Sequence, residues 1–156
     1  MASQAHDHAV DLPATGQIQA MFPSNRPVDQ IRPWRRTMSL AYEARNARRD
    51  LFGPHILADP AWDMLLVLAI AACDDHDITV GQACSGARAS MTTALRAIDY
   101  LTDRKLVDRK PNPYDRRSIL LSISEKGLTR MASLFERSAK RVQATSDNVE
   151  NMTWLI

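Results

Sequence analysis

The chain has 156 residues, of which 45% are hydrophobic, 6% are aromatic and only 5 are glycine, and its formal net charge is +2. This length suits one domain with a core, or a small domain with an extension. The scarcity of glycine beside long Ala-, Leu- and Arg-rich stretches favours a mainly helical fold. The longest apolar stretch, residues 64–73, is too short to span a bilayer, and we find no signal-peptide pattern.

From the N-terminus, residues 1–26 are polar and without periodicity, which predicts a flexible arm. Helical spacing of apolar residues predicts a first helix over 27–52, which Gly53 ends. A second helix begins at Asp59, a suitable N-cap, with Pro60 at the first helical position, where its missing N–H is harmless. Its predicted buried stripe consists of Trp62, Leu65, Leu66, Ala69, Ile70 and Cys73.

A third helix is predicted to begin at Thr79, because Gln82 three residues later completes a capping box. The glycine-containing turn at 85–87 then leads into a fourth helix over 90–104. Two short helices joined by such a turn are typical of a helix-turn-helix. We expect Ala94, Leu95, Ile98 and Leu101 to hold the fourth helix against the core.

The outward side of the fourth helix would then carry hydroxyl groups and one arginine. Short hydroxyl side chains allow close approach to a DNA groove, and they donate hydrogen bonds to phosphates or base edges. Arg96, one turn into the helix, can reach a guanine edge or a phosphate. The alternative interpretation is that these side chains contact only solvent. The predicted contacts on this helix are Ser90, Thr92, Thr93 and Arg96.

A basic hairpin follows the fourth helix directly. Residues 106–110 and 118–122 are predicted strands around the loop 111–117, and a last helix begins at Ser124. Asp115 is placed to pair with a neighbouring arginine and orient it. Arg116 or Arg117 would then project into a minor groove, whose negative potential favours arginine. One of the two can be structural and the other functional, and the sequence does not say which.

Basic charge is sorted by segment along the chain. Residues 85–117 contain eight Lys or Arg against four Asp, and residues 26–50 contain seven Arg against three acids. Residues 58–78 contain five Asp and no Lys or Arg. A surface that faces phosphates requires such segregation, although ordinary solvated helix faces also produce it. Together the helix and the hairpin suit the two grooves of double-stranded DNA.

These residues resemble a known family. The run TTALRAIDYL from Thr92, the hairpin tip with Pro113 and DRR, and the segment DPAWD from Asp59 look like the winged helix-turn-helix of MarR-family bacterial regulators. The resemblance covers about residues 45–135. It implies a mainly α fold with a small β-hairpin wing, a homodimer built from the first and last helices, and a transcriptional regulator, commonly a repressor, acting on a double-stranded DNA operator.

The resemblance also implies a division of the chain. The expected parts are an N-terminal arm (1–26), an N-terminal dimerisation helix (27–57), the winged helix-turn-helix (58–123), and a C-terminal dimerisation helix with a tail (124–156). One departure concerns Lys105, because family chains usually place glycine there. If the backbone at Lys105 is left-handed, lysine costs about 1 kcal/mol relative to glycine; otherwise the helix must end differently.

Family members are commonly released from DNA by a small aromatic or phenolic effector. A pocket between the dimer layer and the DNA-reading lobes would let such a ligand change the lobe spacing. A well-filled dimer core is the alternative. The candidate lining residues are Trp34, Met38, Tyr42, Arg45, His55 and Trp62.

Other sites are less favoured. Cys73 and Cys84 lack metal-ligand and disulfide spacing, and burial explains Cys84 better than redox sensing. No nucleophile has a recognisable base, so we expect no enzyme, no metal and no cofactor. The protein is expected in the cytoplasm, without membrane contact. The alternative function is a winged-helix protein–protein interaction module whose basic hairpin meets an acidic partner.

Overall fold

The structure, a computed structural model, describes residues 27–53 and 58–152, with side chains described up to residue 144. The predicted arm, His55 and the last four residues lie outside this part. Within it, the helices are α1 (Pro27–Ile31), α2 (Arg35–Phe52), α3 (Pro60–Cys73), α4 (Val80–Gly86), α5 (Met91–Asp103) and α6 (Glu125–Met152). The strands are β1 (Ile78–Thr79), β2 (Val107–Pro111) and β3 (Ile119–Ile123). This mainly α fold with a small hairpin wing confirms the predicted fold class.

The first predicted helix is divided in two. A 3₁₀ turn over Arg32–Trp34 separates α1 from α2. Pro33 lies inside that turn and has no N–H to donate to an earlier carbonyl, so a continuous α-helix is interrupted there. At the other end α2 stops before Gly53, whose φ of 92° lies in the region that favours glycine.

Side-chain caps fix the starts of the following helices. Asp59 accepts a hydrogen bond from the Trp62 amide at 3.1 Å at the start of α3. Thr79 and Gln82 form the predicted capping box of α4. The backbone amide of Gln82 donates to the Thr79 hydroxyl at 3.2 Å, and the backbone amide of Thr79 donates to the side-chain Oε1 of Gln82 at 2.8 Å. These caps satisfy amides that have no partner inside the helix.

Helix α3 lies at the centre of the molecule, in contact with α2, α4, α5, α6 and β3. Because neighbours cover it on several sides, its buried residues exceed one stripe. Met64, Leu68 and Ala71 are buried, whereas the predicted Trp62, Leu65 and Ile70 are only partly buried. A Cβ atom on Gly86 would lie 2.9 Å from the Val67 side chain, so α4 and α3 approach as closely as glycine allows.

The sheet is antiparallel with strand order β1-β3-β2. In the wing, Val107 pairs with Ile123 and Pro111 pairs with Ile119. Helix α6 begins directly after β3, where the Ser124 hydroxyl accepts from the Gly127 amide at 3.0 Å and donates to the Lys105 carbonyl at 2.7 Å. The same hydroxyl therefore connects the residues between α5 and β2 to the start of α6, and this fixes the end of the hairpin opposite its tip.

Lys105 has a φ of 57°, so the backbone there is left-handed. Of the two alternatives for Lys105, the left-handed backbone is therefore the observed one. The Lys105 amide donates to the Thr102 carbonyl at 2.8 Å, and the Leu106 amide donates to the Leu101 carbonyl at 2.9 Å. These bonds satisfy carbonyls at the end of α5 and turn the chain into β2.

Candidate nucleic-acid interface

Helix α5 separates a buried side from an exposed side. Ala94, Ala97, Ile98 and Leu101 are buried, whereas Ser90, Thr92, Thr93 and Arg96 are exposed. The prediction that Leu95 helps to hold the helix was wrong, because Leu95 is 41% exposed and Ala97 is buried instead. The helical period carries Leu95 toward the wing side, and the small Ala97 permits close packing against the core.

The hydroxyl groups predicted to contact DNA are used in two ways. Ser90 caps α5, because its hydroxyl accepts from the Thr93 amide at 3.2 Å. The Ser90 and Thr93 hydroxyls also lie 2.8 Å apart and share a hydrogen bond. Thr92 has no such bond within residues 27–53 and 58–152. The start of α5 therefore presents a cap of two hydroxyls together with the positive end of a 13-residue helix.

The exposed side of α5 changes character along its length. Thr92 and Arg96 occupy the first half, whereas Asp99 and Asp103 occupy the second half of the same side. Asp99 pairs with the Arg109 guanidinium from β2. Because two carboxylates repel phosphates, only the first half of the helix suits a DNA groove.

The tip of the wing is shaped by two side chains that bond to backbone amides. Asn112 accepts from the Tyr114 amide at 3.0 Å, and Asp115 accepts from the Arg117 amide at 2.9 Å. The Ser118 amide donates to the Asp115 carbonyl at 3.0 Å. Such local bonds are the usual way in which Asn and Asp stabilise turns. Asp115 was expected to pair with an arginine side chain; in the described residues it holds the Arg117 backbone instead.

The arginine of α5 and the two arginines of the wing tip are exposed. Within residues 27–53 and 58–152, no hydrogen bond or ion pair engages the guanidinium groups of Arg96, Arg116 and Arg117. A cleft of about 660 Å³ separates α5 from the wing. Leu95 and Asp99 line it on the helix side, and Arg117 lines it on the wing side. Arg116 does not line the cleft, so the two wing arginines have different surroundings.

The candidate effector residues have protein partners where they are described. Trp34 stacks on Phe135 with ring centroids 6.2 Å apart. Met38 is fully buried. The Tyr42 hydroxyl donates to the Gly86 carbonyl at 2.7 Å. Arg45 pairs with Asp63 and Trp62 is partly buried, while His55 lies outside the described residues. The described candidates thus lie in separate contacts: Trp34 of the 3₁₀ turn packs on α6, Tyr42 of α2 bonds to α4, and Arg45 of α2 pairs with α3.

Neither cysteine has the surroundings of a reactive thiol. Cys73 and Cys84 are both buried as free thiols, and burial raises the pKa of each. A raised pKa leaves little thiolate near neutral pH. In the described part of the chain, no three His, Cys, Asp or Glu side chains are grouped so as to hold a metal ion. Nor does any helix there have the length and hydropathy that crossing a membrane requires.

A buried charge cluster around Asp63 was not predicted from the sequence. Asp63, whose side chain is 4% exposed, pairs with Arg45 and lies 3.7 Å from Arg49. An aspartate inside the first turn of the most apolar helix was the available signal, because a buried carboxylate requires a partner. The pairing of Arg109 with Asp99 on α5 was also not predicted, because nothing in the sequence of β2 indicates it.

No family model and no curated protein matches the chain. Solved structures do match. A mutant of ZitR from Lactococcus lactis is 16% identical with a TM-score of 0.41, covering 62% of this chain and 63% of that chain. A second ZitR structure, described as a zinc-responsive MarR family member, is 20% identical with a TM-score of 0.40, covering 59% and 62%. The S. aureus MepR–DNA complex is 15% identical with a TM-score of 0.45, covering 76% and 96%. A mutant of E. coli MarR is 18% identical with a TM-score of 0.45, covering 93% and 95%. The chain thus spans less than two thirds of ZitR, 63% of its length.

Proposed function

We propose that this chain is a sequence-specific DNA-binding transcriptional regulator. The first half of α5 enters the major groove, and the wing tip contacts the adjacent minor groove or the phosphate backbone. The observation that carries the proposal is a set of exposed guanidinium groups that have no partner among the described residues. They lie on the two elements that border one cleft, Arg96 on α5 and Arg116 and Arg117 on the wing.

The electrostatics of the two elements support this function. A guanidinium without a partner in its own protein retains its donors for phosphate or for a guanine edge. Ser90 and Thr93 add hydroxyls at the positive end of α5, and helix N-termini attract phosphate. Asp115 acts as a positioning residue here, because it fixes the wing backbone from which Arg117 projects.

Homodimerisation is part of the proposal. Apolar side chains remain exposed on α2, where Leu51 is 78% and Phe52 is 61% exposed, and on α6, which carries the exposed Leu134 and Val142. A second copy covering them would bury apolar surface. Binding to two half-sites requires in addition that the two α5 helices lie about 34 Å apart, one turn of DNA. The dimerisation segments proposed are residues 27–57 and 124–156.

Release by a small aromatic effector is a further part of the proposal. It depends on a pocket lined by the candidate residues Trp34, Met38, Tyr42, Arg45, His55 and Trp62. A ligand there would compete with the polar contacts of Tyr42 and Arg45. Titrating a DNA complex with a panel of aromatic acids tests this part. If no acid changes the DNA affinity, effector release is wrong while DNA binding stands.

Mobility shift on the DNA upstream of the protein's own gene tests the function itself. Arg96→Ala should weaken specific binding by about tenfold to a hundredfold without unfolding the protein, since a base or phosphate contact contributes about 1–3 kcal/mol. Arg36→Ala, which removes an exposed arginine at the start of α2, is the matched control and should leave binding unchanged. A monomeric wild-type protein that shifts no DNA would favour the interaction-module alternative.

A further inference from the structure

The turn between α4 and α5 is held by side chains from α2. The Tyr42 hydroxyl donates to the Gly86 carbonyl at 2.7 Å. One nitrogen of the Arg49 guanidinium donates to the Ala87 carbonyl at 3.3 Å, and the other donates to the Arg88 carbonyl. Three consecutive carbonyls, the last of α4 and the two that follow it, are thus bonded to a single helix. We refer to these bonds as the α2–turn contacts.

The α2–turn contacts satisfy groups that the helix itself leaves without partners. The last four carbonyls of an α-helix lack an intrahelical donor, and water usually supplies one. Here a phenol and a guanidinium from a separate helix replace water. A charged donor makes the stronger kind of hydrogen bond, and the two nitrogens of Arg49 fix an orientation as well as a distance.

Arg49 is itself fixed by the buried charge cluster. Its side chain is 13% exposed and lies 3.7 Å from the Asp63 carboxylate, to which Arg45 also binds. Arg49 therefore joins α2, the start of α3 and the turn. Because a buried guanidinium that left the carboxylate would lose its charge partner, Arg49 cannot swing away from this position at low cost.

The turn has little freedom on its remaining sides. Arg88 has a φ of 47°, a left-handed conformation that a non-glycine residue adopts only when its surroundings impose it. Its guanidinium lies 3.5 Å from the Asp50 carboxylate, which again belongs to α2. On the opposite side, Gly86 packs against Val67 so closely that a Cβ atom would lie at 2.9 Å. Two residues after Arg88, Ser90 caps α5.

We propose that Tyr42 and Arg49 are positioning residues for DNA recognition. Through the α2–turn contacts they fix the N-terminal end of α5 relative to α2. In the proposed dimer α2 belongs to the shared layer, so these contacts set the spacing of the two recognition helices and hence the half-site spacing that the protein selects. This inference rests on the proposed function, but its first test does not require DNA.

Hydrogen exchange on the free protein measures whether the contacts hold the turn. Tyr42→Phe removes only the hydroxyl, and Arg49→Lys retains the charge but loses the two-nitrogen geometry. Arg49→Lys should speed amide exchange at residues 87–94 by about tenfold, the effect of losing a charge-assisted bond on local opening, and Tyr42→Phe should speed it by about threefold to tenfold, the effect of losing a neutral bond. Residues 70–76 should be unaffected in both variants. Arg32→Lys is the matched control, because Arg32 donates in the same manner to the Cys73 carbonyl, at 2.7 Å, and to Asp75. Arg32→Lys should speed amide exchange at residues 70–76 and leave exchange at residues 87–94 unaffected.

Binding to operators with altered half-site spacing measures the consequence for recognition. The wild-type protein and Arg32→Lys should lose about tenfold or more in affinity when one base pair is inserted between half-sites, because the helices no longer face their grooves. Tyr42→Phe and Arg49→Lys should weaken binding to the preferred operator and lose most of that discrimination, with non-specific affinity unchanged.

The outcomes separate the two claims. Unchanged exchange at 87–94 in both variants would overturn the positioning role even if the protein binds DNA. Equal weakening on every operator spacing would also overturn it, because a merely structural role predicts no change in spacing preference. A wild-type protein that binds no DNA would instead overturn the proposed function.

Discussion

Arginine occurs in two different environments in this protein, one on α2 and the other on α5 and the wing. Arg45 and Arg49 are 15% and 13% exposed, and both bind Asp63 or backbone carbonyls. Arg96, Arg116 and Arg117 are exposed, with no partner in the described residues. The contrast teaches that the surroundings of an arginine, rather than its presence in a basic segment, separate a structural from a ligand-binding role.

The two settings also predict different consequences of mutation. A buried ion pair contributes modestly as a whole, but removing one partner leaves an uncompensated charge. An exposed arginine contributes little to stability, so its replacement tests binding with the fold intact.

Asp63→Ala should have the largest effect on stability. It leaves Arg45 and Arg49 buried without their carboxylate, and the free energy of unfolding should fall by about 3–5 kcal/mol. Urea denaturation monitored by circular dichroism measures the loss. Asp77→Ala is the matched control, because Asp77 pairs with Lys110 at 3.6 Å near the surface and should cost less than about 1 kcal/mol. Equal losses in the two variants would remove the distinction between the settings.

Lys105→Gly should stabilise the protein. The left-handed φ of 57° strains a residue with a Cβ atom, and glycine should raise the free energy of unfolding by about 1 kcal/mol. Lys105→Ala retains the Cβ atom and serves as the control, with no gain expected. Thermal denaturation of the three proteins provides the comparison. A less stable glycine variant would show that the lysine side chain contributes more than the strain costs.

Asp74→Asn tests an exposed pair and should have the smallest effect. Arg35 donates to both Asp74 oxygens at 2.7 Å, and this lowers the pKa of the Asp74 carboxyl. A lowered folded-state pKa stabilises the fold above the unfolded-state value of about 3.9, and this contribution is lost as the pH falls through the folded-state pKa. The variant should therefore be slightly less stable at pH 7, and the difference should vanish in acid. A difference that grows in acid contradicts the assignment.

Local signals in the sequence predicted much of the fold. The caps at Asp59 and Thr79, the start of the last helix at Ser124 and the end of α2 at Gly53 are confirmed, and each wing strand lies one residue later than predicted. Each depends on residues within a few positions, where backbone hydrogen bonding has few alternatives. The left-handed backbone at Lys105 is the observed one of the two alternatives.

Contacts between distant residues could not be predicted in this way. Tyr42 bonds to Gly86, which is 44 positions away in the sequence, and Arg45 bonds to Asp63, which is 18 positions away. Which apolar residues are buried on α3 depends on its neighbours, not on its own period. The DNA-contact assignments at Ser90, Thr92, Thr93, Arg96, Arg116 and Arg117 remain predictions, because exposure makes a side chain available without showing what it binds.

The salt dependence of DNA binding tests the central claim most directly, because released counterions report the phosphates that arginines neutralise. Fluorescence anisotropy across a salt series should give a steep slope of log affinity against log salt for the wild-type protein. In the Arg116→Ala/Arg117→Ala variant we expect the slope to fall by about 2 units, one for each phosphate that an arginine no longer neutralises, with stability unchanged within about 0.5 kcal/mol. An unchanged slope, or a wild-type protein whose binding does not respond to salt, would contradict the account.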